Sequence, residues 1–350
     1  MTRDRGPDLL RALALAGVVL GHWLVTAPGA PGAVDGRVVT GSPLAGMPAL
    51  APVSWLLQTL ALFFLVAGWA AARGTGARRW SRTLRRAAGP VVALVAAVAA
   101  LATALAVAGA SQGVVRTVVT LSLRPLWFLG VYLVLSLATP LLVRLDARLG
   151  AAAAVLPLGL ALAGPLVPGT AGTVATALAA WWVPWQLGVA AARREPGPGA
   201  CVALLAGGVL AVVLLVTAGG LPVTAVGVPG VGASNLDPPS AATLALGLAQ
   251  AGAAGLLLPV LRRARGPLAD AAVATGRSAL PVFLLHQPLF VLLWLGTLPA
   301  APLPGLHDLP DDPAWLVARA GWVLVLAGLT TAAVRALGAR PAAGRYGAPL

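Results

Sequence analysis

An all-α bundle of about ten transmembrane helices, with both chain ends in the cytoplasm, is the fold this sequence predicts, and three observations predict it. First, 59% of the 350 residues are hydrophobic and only 10% are charged, where a soluble domain carries about 25% charge. A soluble core of this length cannot hide so much apolar surface, so lipid must solvate most of it. Second, ten apolar stretches of spanning length follow one another along the chain. Third, the arginines fall almost entirely between alternate stretches, on one side of the membrane.

The stretches run from about 9 to 27, 50 to 72, 88 to 109, 125 to 143, 151 to 167, 174 to 191, 201 to 219, 240 to 261, 276 to 298 and 315 to 337. The fifth and sixth are the least distinct, because Gly164, Pro165, Pro168 and Gly169 blur their boundary. With the N-terminus in the cytoplasm, 20 of the 24 arginines share that side, including Arg3, Arg5, Arg11, the run from Arg73 to Arg86, and those flanking the later stretches. The other side holds only Arg37, Arg116, Arg124 and Arg319. The alternation favours ten spans over nine or eleven. The first stretch could also be read as a cleaved signal peptide, but His22 and Trp23 fit poorly in a signal core. No other segment is long enough for a separate domain, so residues 1–350 read as one transmembrane unit, with its main body at about 8–340.

A net charge of +14 might point to nucleic acid, but no basic domain with interleaved aromatics carries it, and nucleic acid is not an expected partner. The single cysteine, Cys201, excludes an intrachain disulfide and a cysteine metal cluster. His307 with Asp308, Asp311 and Asp312 invites a metal reading, yet one histidine in a loop favours solvated charge, and no metal is expected.

Chemistry is most legible in the first stretch. Arg11 lies eleven residues before His22 and Asp8 fourteen before it. At about 100° per residue, all three fall within roughly 60° of one helical stripe. A polar stripe in a membrane helix normally faces protein or a water-filled cavity. His22, about 16 Å along the axis from Arg11, belongs in the outer half of the membrane, and Arg11 and Asp8 near the cytoplasmic mouth. Neutral imidazole near pH 7 suits removal of a hydroxyl proton. Ordinary helix-end charge for Asp8 and Arg11, and a packing hydrogen bond for His22, are the competing structural readings. His286, about halfway along the ninth stretch, is either a second acid/base or an interhelical hydrogen-bonding group.

These residues also carry a resemblance. Asp8-Leu9-Leu10-Arg11-Ala12-Leu13-Ala14, followed by His22-Trp23, is similar to the opening helix of the acyltransferase-3 family of integral membrane O-acyltransferases, with its Arg-x10-His spacing. Gln58 and Phe63 to Gly68, Trp80 to Arg86 with Pro90, Leu126-Trp127-Phe128-Leu129 with Tyr132, Ser234 to Pro239, and Phe283-Leu284-Leu285-His286 resemble later family segments in order. Two departures stand out: Ala67 where many members have Ser or Gly, and Phe283 where a Tyr usually precedes the late histidine. The chain is also expected to lack the fused SGNH hydrolase-like domain of some members.

The resemblance implies transfer of an acyl group, acetyl by expectation, from cytoplasmic acyl-CoA to a hydroxyl of an extracytoplasmic glycan, lipid-linked sugar or secondary metabolite, in the plasma membrane. His22, Arg11, Asp8 and His286 are then the catalytic candidates. Arg82, Arg85 and Arg86 are candidates for the phosphates of coenzyme A, because forked guanidinium donors suit phosphate oxygens; positive-inside retention is their plainer explanation. Trp127, Asn235 and Asp237 are candidates for binding the acceptor, against interfacial anchoring for the first and turn chemistry for the other two. A transporter or flippase of a lipid-linked intermediate is the alternative function, although no internal repeat supports it.

Overall fold

Helix α1 (Gly6–Val25) begins where Pro7 needs no backbone donor and where Asp8 meets the positive end of the helix dipole. It ends where Thr26 turns extended, and a short antiparallel pair, Ala27–Pro28 with Thr40–Gly41, folds the chain back at the helix end. The computed structural model describes residues 4–32, 35–74, 77–230 and 232–338, the side chains of 77–86 and 151 excepted.

A short helix, Ala51–Leu57, leads into α2 (Leu60–Ala72), and α3 (Ala77–Val107), α4 (Gln112–Leu123) and α5 (Leu126–Leu149) follow. After them come α6 (Val155–Ala163), α7 (Gly169–Arg193), α8 (Pro198–Thr217) and α9 (Ala241–Arg263). The short α10 (Pro267–Arg277) precedes α11 (Ala279–Gly296) and α12 (Pro313–Ala336). Among the described residues, nine helical segments are long and apolar enough to cross a membrane. The chain is an all-α, multi-pass membrane protein.

Two expected spans differ: the fourth is preceded by α4, which joins it in one apolar segment, Gln112–Leu149, and the fifth is short. It is the shorter apolar segment Ala152–Leu166, with 3-10 turns on both sides of α6. Gly150, with φ of +61°, turns the chain into it, and Gly164 and Pro165 turn it out. At one end Gly150 abuts the Arg194 guanidinium, and at the other Gly164 abuts Thr176. Those two levels on α7 are roughly 27 Å apart at 1.5 Å per residue, so the segment still runs back across the bundle. Consequently α5 and α7 point the same way, and their C-terminal ends are joined by Asp146 and Arg193 at 3.0 Å.

Helix breaks inside the membrane need substitute hydrogen bonds, and the break at Gln58–Thr59 has them. Gln250 of α9 accepts from Leu62 N at 3.0 Å and donates to Gln58 O at 2.6 Å. A second break, at Arg124–Pro125, separates α4 from α5. It places Arg124 at the junction of two helices rather than in an outer loop.

Close packing concentrates at the α2–α7 crossing, where a Cβ at Gly68 would collide with the Trp185 carbonyl and one at Gly188 with the Leu65 carbonyl. Small residues let membrane helices approach in this way. Around the crossing lies the main core, with Phe64, Phe128, Trp181, Trp185 and Phe283. Half of α1 and 56% of α7 are buried, against 6% of Ala87–Val107 and 11% of α8, so α1 and α7 are central and α3 and α8 face lipid.

One end of the bundle collects an ionic lattice. Arg262 meets Asp4 at 3.0 Å and also pairs with Glu195, Arg5 pairs with Asp270, and Asp8 meets Arg11 at 3.3 Å and Arg277 at 3.4 Å. The arginine excess makes this the cytoplasmic end. At the opposite end Asn235 donates to Pro222 O and Thr224 O at 2.7 and 2.8 Å, and Ser111 donates to Gly36 O at 2.6 Å.

His307 is not solvated loop charge. It is buried, with Nε2 3.0 Å from Trp294 O, while Nδ1 accepts from Leu303 N at 3.2 Å. A carbonyl can only accept, so Nε2 carries the proton and both ring nitrogens are committed. Asp308 bonds Gly305 N and Asp312 caps α12 through Trp315 N, while Asp311 and Asp312 stay exposed, so the expected solvated charge holds for those two and not for His307.

Candidate active site: a histidine pair at the centre of the bundle

α1 brings Asp8, Arg11 and His22 to successive heights of the bundle, and α11 brings His286 to the level of His22. The two imidazole centroids are 5.3 Å apart, with ring planes inclined by 46°. His22 is partly exposed and His286 fully buried. Nδ1 of His286 lies 2.6 Å from the Phe283 carbonyl, which can only accept, so Nδ1 carries the proton in the neutral ring. Nε2 is then a bare lone pair, and it has no hydrogen-bond partner among the described residues. A buried polar atom without a partner in a native fold calls for a water, a ligand or a chemical role.

The pair is tied to its surroundings by Trp23, whose indole donates to the His286 carbonyl at 3.1 Å. An aromatic column continues from it. Phe283 lies 5.7 Å from His286 and 5.0 Å from Phe128, and Phe128 lies 5.0 Å from Phe64. Phe64 stacks on Trp181 at 5.3 Å. Trp127 is exposed and joins this column 6.2 Å from Trp181. It therefore adjoins the aromatic column at the start of α5.

At the cytoplasmic end Asp8 is buried and holds two guanidiniums, Arg11 and Arg277. α10 packs closely here, since a Cβ at Gly276 would strike the Asp8 carbonyl. Glu195, in the loop between α7 and α8, has its carboxyl held below the usual range by the hydrogen bond from Arg262.

Not every sequence candidate joins the site. Asn235 is buried, with both amide hydrogens donated to Pro222 O and Thr224 O and its oxygen accepting from Ser240 at 2.6 Å. Turn chemistry accounts for it fully, and it has no donor left for a sugar. Asp237 beside it is exposed in the same outer loop. The backbone of α3 passes through Arg82, Arg85 and Arg86, but their side chains lie outside the described residues. No group of three or more His, Cys, Asp or Glu placed to hold a metal occurs among the described residues.

Sequence reasoning missed Trp23, Arg277 and Arg319 as members of these networks. Arg319 had a visible signal: it falls six residues inside α12, and a charge within a span marks a functional or heavily bonded position.

Fold and candidate site together define a polytopic membrane protein with a pair of imidazoles between two helices. A family model described as an acyltransferase domain, Acyl_transf_3, matches residues 4–334. The chain belongs to that acyltransferase-3 family and is a membrane acyltransferase. No curated protein and no solved structure matches it.

Proposed function

We propose that this acyltransferase moves an acyl group, acetyl in the simplest case, from cytoplasmic acyl-CoA to a hydroxyl of an extracytoplasmic glycan, lipid-linked sugar or secondary metabolite, with His22 as the general base. The observation that carries this reading is the His22–His286 pair at 5.3 Å, in which one imidazole is partly exposed and the other has a bare buried nitrogen. His22 takes the acceptor proton as the hydroxyl oxygen attacks the thioester carbonyl. The C–S bond then breaks, and the proton passes to the departing CoA thiolate, so that one ester and one thiol form. His286 holds its lone pair beside His22 and shares the charge as the base is protonated. Trp127 and Asp237 are acceptor-side groups, Arg11 supports the donor end through its Asp8-held guanidinium, and Arg82, Arg85 and Arg86 bind the CoA phosphates.

The test uses purified protein in nanodiscs, radiolabelled acetyl-CoA and host membrane extract as acceptor. His22→Ala should still retain labelled donor while transfer falls by about 10²- to 10⁴-fold, the usual loss of a general base. Near wild-type transfer by His22→Gln would end the base assignment and move it to His286.

A further inference from the structure

Arg319 is a fully buried cation with no use in the mechanism above. It sits in α12, and its three hydrogen bonds all go to carbonyl oxygens: Nε to Trp23 at 2.6 Å, Nη1 to Gly305 at 2.9 Å, and Nη2 to Thr26. Phe290 and Trp315 pack on the guanidinium at 4.7 and 5.2 Å. A buried charge is expensive, and an apolar side chain of similar volume would fill this space more cheaply. What the guanidinium adds is directional. Trp23, in the last turn of α1, and the capping Thr26 present carbonyls at the end of the helix, where the chain turns extended and intrahelical donors run out, and a cation is favoured at that end of the dipole.

Trp23 is pinned twice, by its carbonyl to α12 through Arg319 and by its indole to the His286 carbonyl of α11. Its neighbour in sequence is His22. A slip of α1 by one residue would turn His22 by about 100°, away from His286. Gly305 completes the clamp, because its φ of +74° and the nearby backbone of Ala318 and Arg319 leave no room for a side chain.

We infer that Arg319 is a positioning residue that, through Trp23, sets the height and rotation of His22 against His286. This rests on the reading of His22 as the base. Its consequence is that the twelfth helix, remote in sequence from the opening one, determines how fast the pair works but not how well donor binds.

The test compares Arg319→Lys and Trp23→Phe with wild type in nanodiscs. A lysine keeps the charge but loses the fork that reaches three carbonyls, and phenylalanine keeps the ring but removes the bond to His286. Leu326→Ala, a cavity in the same helix, is the destabilised control. Two quantities are read beside Tm: the rate at which diethyl pyrocarbonate modifies His22 at pH 7, followed by mass spectrometry, and kcat and KM for acetyl-CoA. Both variants should alter the His22 modification rate severalfold. They should also lower kcat by at least about tenfold with donor KM nearly unchanged, since a misplacement of about 1 Å can cost 10²-fold. Leu326→Ala should lower Tm alone. Wild-type modification rate and kcat in both variants, whatever their Tm, would reduce Arg319 to a stabilising cap and overturn the inference. The modification readout needs no turnover, so it separates this outcome from failure of the base assignment, which active His22→Gln reports.

Discussion

The protonation of His286 is settled by a neighbour that cannot donate, and this gives the two histidines different expected sensitivities. The Phe283 carbonyl takes the Nδ1 proton, so a replacement able to donate there preserves part of the local structure. His286→Gln should consequently keep more activity than His286→Ala, and both should lose less than His22→Ala; equal and complete loss in all three would make His286 as indispensable as His22 and end its supporting role. Arg11→Lys is the companion prediction at the donor end. Lysine preserves charge beside Asp8 but lacks the second donor arm, so KM for acyl-CoA should rise while the protein stays folded, and an unchanged KM would remove Arg11 from the donor site. Asp8, Arg11 and His22 were legible as one stripe because helical periodicity is local. The partnership of His22 with His286 was not, since residues 264 positions apart meet only through packing of α1 on α11. The buried role of Arg319 stayed hidden for a related reason: its place inside the tenth stretch was visible, but its acceptors, the carbonyls of Trp23, Gly305 and Thr26, come from segments that only the fold brings to it.

Between elements, the molecule depends on two kinds of contact with opposite sensitivities. The α2–α7 crossing is backbone on backbone at Gly68 and Gly188, with no room to relax. Gly188→Val should therefore lower Tm strongly or prevent folding, because overpacking of a tight contact typically costs about 1–3 kcal/mol or more; an unchanged Tm would show that the crossing is looser than described. The ionic lattice is softer and titratable. Hydrogen bonding to Arg262 holds the Glu195 carboxyl below its ordinary value of 4.5, so the link is fully formed above that pH and is lost as pH falls through the lower folded-state value. Wild type should lose Tm on acidification more steeply below about pH 4.5 than Glu195→Gln does, by a modest amount because the pair is largely solvated. Identical acid limbs in the two proteins would deny the link a role. The order and approximate bounds of the long helices were readable from hydropathy, whereas α4 and α10, which lie between the expected stretches, were not. The shortness of the fifth span was only half visible, as the Gly/Pro boundary near 164–169; its 3-10 flanks arise from the tight turn at Gly150 and the packing of Gly164 on Thr176.

For the whole molecule, orientation follows from charge, and the structure makes that argument sharper than the sequence could. Arginine counting assumed ten clean crossings, whereas the described residues hold nine long segments and one short one. If the short segment only dipped into the membrane, every later loop would change sides and the arginine asymmetry would collapse. The ion pairs decide against this, because Asp4, Asp8, Glu195, Arg262, Asp270 and Arg277 meet at one end of the bundle. The loop after the short segment and the loops before it must therefore alternate as ten crossings require. Cysteine labelling in a Cys201→Ala background tests this directly. Arg73→Cys, Pro196→Cys and Ala269→Cys should react only after the cytoplasmic face is opened to an impermeant maleimide. Asp35→Cys, Asp237→Cys and Leu309→Cys should react in intact cells. Placing 196 and 269 on the outside while 73 stays inside would mean that the short segment does not cross, and would put Glu195 and Arg262 on the opposite side from Asp4, against the ion pairs that join them.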